Sequence, residues 1–171
     1  MVTGIDLETL DSASSTEFVE SVGPLFEGAA GFLRRLAAGR PDGSWDAFFE
    51  RARAIAHAMP EADQIELLDA HPRLGAAPGS MSALSRREQG YGESRGQVTD
   101  VEAELARLNA VYEARFGFRY CVFVAGRPHS ALVAELAVAC LAERERELDR
   151  GLDAVIDIAI SRRSSLAGPA T

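Results

Sequence analysis

Apolar positions recur at helical spacing along nearly the whole chain. Leu25, Phe26, Ala29, Phe32, Leu33 and Leu36 share one helical face, and Trp45, Phe48, Phe49, Ala52, Ile55 and Ala56 share another. Ser44 is placed to cap the second of these, after the break at 39–43. Pro60 suits the first turn of a helix carrying Ile65, Leu67 and Leu68, which has to stop near His71 because Pro72 follows. Thr99 with Glu102 forms a capping-box pattern that opens a helix through Leu105, Leu108, Val111 and Tyr112, closed by Gly117. Ser130 can cap a helix with Leu132, Val133, Leu136 and Ala139, and a last helix holds Leu148, Leu152, Val155, Ile156 and Ala159. One or two short helices are expected over 7–22.

Two segments break the pattern. Residues 71–94 carry four glycines, two prolines and seven serines or arginines in 24 positions, a long loop of the kind that serves function in a compact domain. Residues 118–124, Phe-Arg-Tyr-Cys-Val-Phe-Val, favour β structure but have no partner strand nearby, which predicts a buried extended connection. The expected architecture is all-α: a single domain over 1–171, a bundle of seven to eight helices with one long functional loop and a frayed tail from 164.

Composition narrows the chemistry. The 171 residues carry a net charge of −8, which argues against nucleic acid or an anionic membrane as partner. All 18 basic residues are arginine, so chemistry that needs a lysine amine (pyridoxal phosphate enzymes, Schiff-base aldolases, Walker A sites) is excluded. No apolar run approaches the roughly 20 residues of a membrane span, and the N-terminus has no signal-peptide pattern. Cys121 and Cys140 form no disulfide framework, and the compartment expected is the cytoplasm.

Among three histidines, His57 reads as a partly buried helical residue and His129 as a solvent residue before an N-cap. His71 ends a helix, is held out of α geometry by Pro72 and faces the polar loop. It is either a capping residue or an acid–base group titrating near neutrality. No histidine pair has i, i+4 spacing, no Cys–His cluster exists, and Asp69 with His71 lacks a third ligand, so no metal site is expected. Ser85-Arg86-Arg87-Glu88-Gln89 reads as a capping box, or as a carboxylate and carboxamide able to hold a planar urea or amide. Arg162 and Arg163 follow the last apolar stripe, and one of them must border the core beside an anion.

Taken in order, His71-Pro72-Arg73-Leu74-Gly75, Ser85-x-x-Glu88-Gln89 and Leu108-Asn109-x-x-Tyr112-x-x-Arg115-Phe116-Gly117-Phe118 resemble the 2-oxo-4-hydroxy-4-carboxy-5-ureidoimidazoline (OHCU) decarboxylases of uric acid degradation. The likeness extends from Glu17-Phe18-Val19 and Leu25-Phe26-Glu27 to Glu147-Leu148 and the closing helix. It departs at Arg73, in the run after Gln89, and at Ile-Ala-Ile-Ser-Arg-Arg near the end. The resemblance implies an all-α, cofactor-free enzyme that converts OHCU to (S)-allantoin and CO₂. It implies His71, Glu88 and Arg162 as catalytic residues. Substrate-binding residues would be Pro72, Ser85, Gln89 and the segment Tyr120, Cys121, Val122, Phe123 and Val124, whose backbone faces the ligand. The partner expected is a small molecule, with no nucleic acid and no membrane, and a homodimer is left open. Arg162 is expected to pair with the substrate carboxylate or a ring carbonyl, in a contact that tightens toward the developing negative charge. Two other readings compete: a helical binding module that has lost the chemistry, and a metal-dependent hydrolase of a ureido compound.

Overall fold

The computed structural model describes residues 6–90 and 100–166. Among the described residues there are nine α-helices, two 3₁₀ turns and no strand. The helices are α1 (Leu7–Ser12), α2 (Ser15–Val22), α3 (Ala30–Ala38), α4 (Trp45–Ala58), α5 (Glu61–Ala70), α6 (Ala83–Glu88), α7 (Asp100–Phe116), α8 (His129–Ala139) and α9 (Arg144–Leu166), with 3₁₀ turns at Gly23–Phe26 and Pro78–Ser80. The short N-terminal helices are capped locally: Asp6 accepts from Thr9 N, and Ser14 and Glu17 form a reciprocal capping box. Ser44 caps α4 as its position predicts.

α9 is the spine. It packs against α4, α5 and the first 3₁₀ turn, α3 bridges α2, α4 and α5, and α7 lies along α8. Leu152, Val155, Ile156 and Ala159 of α9 are fully buried with Phe26, Phe48, Leu67 and Leu68. Gly151 permits the approach of α5, because a Cβ there would stand 3.1 Å from Leu68 Cδ2. Burying these side chains, each worth about 1.5–3 kcal/mol, fixes α9 against α5 and so relates Arg162 to His71.

Four local expectations are corrected. The 71–94 segment is not a continuous loop: Ser82 Oγ accepts from Ser85 N at 3.1 Å and starts the six-residue α6, too short to show apolar periodicity. This raises the helix number above eight. α8 begins at His129 rather than after Ser130, because Pro128, at φ −67°, supplies the N-cap and its carbonyl accepts from Ala131 N and Leu132 N. The helix through 164 continues to Leu166, where Ser164 and Ser165 hydroxyls bond back to the carbonyls of Ile160 and Ser161, each at 3.0 Å. Last, His57 is exposed on α4, and its ring nitrogens face Asp153 at 3.0 Å and Asp149 at 3.4 Å. The Thr99 cap, the segment 91–99 and the tail beyond 166 lie outside the described residues. Among the described residues no helix is long and apolar enough to cross a membrane.

Candidate active site

α5 ends where Pro72 requires it. His71 is its C-cap, with extended backbone (φ −78°, ψ 143°) and its N–H on Leu68 O. Its imidazole turns inward and is only 3% exposed. Nδ1 lies 3.0 Å from Leu67 O. A carbonyl oxygen only accepts, so Nδ1 carries the proton and Nε2 keeps its lone pair. Nε2 is buried with no hydrogen-bond partner among the described residues. Burial, reinforced by the charge of Arg162, lowers the His71 pKa to about 4 despite opposing contributions from Leu67 and Glu27. The exposed, near-neutral titration expected from its place at a helix end is therefore corrected. Proline turns the backbone, but the folded chain buries the ring.

The backbone after His71 is pinned on several sides. Arg119 Nη1 donates to Asp69 O at 2.6 Å and His71 O at 2.9 Å, while Arg119 N donates to Asp69 Oδ1. Asn109 Nδ2 donates to Leu74 O at 2.8 Å, Arg73 pairs with Glu113, and Gly75 N donates to Gln89 Oε1 at 2.8 Å. Gln89 Nε2 also reaches Arg73 O at 3.3 Å, so its amide ties α6 to the turn.

Arg162, not Arg163, points inward. It is 2% exposed, whereas the Arg163 guanidinium lies 4.8 Å from the Trp45 ring centre. Arg162 Nε donates to Glu88 Oε1 at 2.7 Å and Nη1 to the carbonyls of Pro24 and Leu25. Nη2 faces Glu27 Oε1 at 2.8 Å, Ser85 Oγ at 2.9 Å and Glu88 Oε2 at 2.9 Å. Every N–H of the guanidinium has a protein acceptor, which leaves none for the ligand contact expected from sequence. Burial opposes its charge, but Glu88 and Glu27 outweigh that and raise its pKa. Ser85 is not the N-cap of α6, which corrects the capping-box alternative; it sits inside the helix and donates a short bond to Glu27.

The extended segment supplies a wall without pairing to a strand. Arg150, bonded to Glu147 and 4.5 Å from the Tyr120 ring centre, donates to Cys121 O at 2.8 Å. Arg127 takes the carbonyls of Phe123 and Val124. The backbone N–H groups of 120–124 have no protein acceptor among the described residues. Burial raises the Tyr120 pKa and pushes the Cys121 thiol up to about 12, so neither is ionised at neutral pH.

One cleft of about 420 Å³, open solvent at its mouth included, is bordered by His71, Pro72, Ser85, Glu88, Gln89, Tyr120, Cys121, Val122, Phe123, Val124 and Arg162. The residues that the resemblance implies for the site thus border one cleft, whereas Arg163, Asp69 and His57 do not. Leu74 and Ile158 join them and were not singled out, being plain apolar positions in sequence. Glu27 lies 135 positions from Arg162, and no local pattern in the sequence links the two. Among the described residues no group of three His, Cys, Asp or Glu side chains is arranged to hold a metal. The arrangement offers a neutral imidazole with an open lone pair and a carboxylate held by arginine, on one cleft bordered by the extended segment 120–124.

Comparison with known proteins gives a consistent result. Residues 11–164 match the family model described as OHCU decarboxylase. The chain is 30% identical over 170 residues to the uric acid degradation bifunctional protein of Bacillus subtilis, covering 97% of this chain and 33% of that protein. It is 28% identical over 167 residues to the OHCU decarboxylase of Mus musculus, covering 96% and 94%. The chain spans about a third of the length of the Bacillus bifunctional proteins it matches, and nearly all of the mouse enzyme. A crystal structure of OHCU decarboxylase in the presence of (S)-allantoin superposes with a TM-score of 0.69 at 22% identity, over 91% of this chain and 99% of that one.

Proposed function

The chain belongs to the OHCU decarboxylase family, and from that premise we propose that it catalyses the decarboxylation of OHCU to (S)-allantoin without an organic cofactor or metal. The observation that carries the reading is the neutral, buried His71, its Nε2 lone pair uncommitted, on the same cleft as Glu88.

The chemistry asks for few parts. The carbon bearing the carboxylate also bears a hydroxyl and adjoins a ring C=N. As the C–C bond breaks, its electron pair moves into that C=N, CO₂ leaves, and the ring nitrogen takes a proton drawn from water. The enol that remains becomes allantoin when the hydroxyl proton is removed and a proton is delivered to the neighbouring ring carbon. In this reading His71 Nε2 removes the hydroxyl proton. An imidazolium whose pKa is about 4 is acidic enough to return it to carbon, a role worth roughly 10²–10⁴-fold. Delivery from one face accounts for a single enantiomer. Glu88, held by Arg162, accepts from ureido or ring N–H groups, and backbone N–H groups of the 120–124 segment receive carbonyl or carboxylate oxygens. Pro72, Ser85 and Gln89 complete the wall, with Ser85 and Gln89 acting through the bonds that fix α6.

We read residues 1–171 as one such domain, in the cytoplasm, where its two buried free cysteines would stay reduced. Exposed Val138 and Leu141, at and beyond the end of α8, support a homodimer as part of the same reading. The binding-module alternative is not favoured, because His71, Glu88 and Arg162 are all in place. The test against the hydrolase alternative is OHCU decay in excess chelator. Undiminished acceleration is expected, and loss of activity restored by added metal would contradict the proposal.

A further inference from the structure

Glu27 lies outside the residues bordering the cleft, yet it joins three elements. It follows the first 3₁₀ turn in left-handed backbone conformation (φ 51°), which turns its side chain toward α6 and α9. There it accepts from the hydroxyl of Ser82, the N-cap of α6, at 2.9 Å, from Ser85 Oγ in a short bond, and from Arg162 Nη2 at 2.8 Å. Burial works against its charge, but these donors outweigh burial and keep the carboxyl below the usual carboxylate range, so it is ionised at neutral pH. Arg162 is then flanked by two carboxylates, Glu27 and Glu88, and the cluster carries one net negative charge.

That balance bears on an anionic substrate. A free arginine beside the cleft would form a strong charge-assisted pair with the carboxylate that is to be lost. Such a grip stabilises the bound ground state more than a transition state in which that charge is leaving as CO₂, and so opposes turnover. We propose that Glu27 is a positioning residue that keeps Arg162 charge-compensated, so that the arginine holds Glu88 in place and does not become the counter-ion of the substrate carboxylate. The inference rests on the decarboxylase reading for its consequence, but its binding arm stands apart from it.

The test compares wild type with Glu27→Gln, which keeps an acceptor oxygen for Ser82, Ser85 and Arg162 and removes only the charge. The probe is orotate, a planar ring carboxylate with imide N–H groups, titrated by calorimetry beside its uncharged carboxamide. Glu27→Gln is expected to bind orotate about tenfold more tightly, with the carboxamide unchanged, because the Arg162 cluster goes from one net negative charge to neutral and no longer repels the ligand carboxylate. In OHCU turnover kcat should fall while KM stays level or falls. A merely structural anchor would lower melting temperature and weaken binding of orotate and the carboxamide alike. Unchanged orotate affinity, or unchanged kcat, overturns the proposal. Should Glu27→Gln not fold, Glu27→Asp, which retains the charge at shorter reach, decides: orotate affinity within about twofold of wild type agrees, and a tenfold gain contradicts. Wild-type protein that fails to turn over OHCU would sink the decarboxylase reading, while the orotate comparison still judges Glu27.

Discussion

At the scale of the residue, the central fact is the protonation state of His71. Sequence placed this histidine correctly at a helix end beside a proline, but not its environment. The ring is 3% exposed beside the charge of Arg162, about 90 positions away, and no local pattern encodes either. In the unfolded chain the ring titrates near 6.5, in the folded protein at about 4. Between those values only the unfolded chain binds the proton, so the stability this side chain contributes is complete above pH 6.5 and is lost as pH falls toward 4. The loss amounts to at most about 3.4 kcal/mol. His71→Asn should therefore differ less from wild type in urea denaturation at pH 4.5 than at pH 7. The same difference at both values would mean that the ring is not buried neutral. At pH 7 the substitution should cost about 2 kcal/mol, from the lost bond to Leu67 and the altered packing. It should also lower kcat about 10²–10⁴-fold with a smaller change in KM. The wild-type rate should hold down to about pH 5 rather than breaking near 6.5, and a break near 6.5 that vanishes in His71→Asn would contradict the assignment.

At the scale of the element, α4, α5, α7 and α9 were legible from apolar spacing, Ser44 and Pro72, whereas the run from Leu25 to Leu36 is not one helix: Leu25 and Phe26 lie in the first 3₁₀ turn, the left-handed Glu27 breaks the run, and α3 starts at Ala30. α6 was not legible, since its six residues bury little apolar surface and depend on polar bonds to Glu27, Arg162 and the turn after His71. The 118–124 segment was legible as extended and solitary, but what replaces a partner strand, arginine side chains on its carbonyls, was not. The link between α6 and the His71 turn can be tested at Gly75. Its φ is +76°, and a Cβ there would stand 2.9 Å from Leu105 Cδ1, while its N–H holds Gln89. Gly75→Ala should destabilise the protein by about 1–3 kcal/mol. Because Gln89 and Glu88 share α6, it should also raise KM for OHCU. A variant with wild-type melting temperature and KM would show that this turn does not position α6.

At the scale of the whole molecule, α9 carries the arginine that gathers Glu27, Glu88 and Ser85, and its packing on α4 and α5 sets the cleft. The cleft residues were legible only as an ordered series of short strings resembling one family, since each string alone also fits a cap, a turn or a surface patch. Their convergence on a single cleft is a property of the folded chain. OHCU should be generated in place from urate with urate oxidase and hydroxyisourate hydrolase, and the circular dichroism of the allantoin followed as it forms. Decay faster than the spontaneous rate is expected, with a dichroic signal of the S enantiomer that persists in chelator. Racemic allantoin appearing at the spontaneous rate would contradict the proposed function.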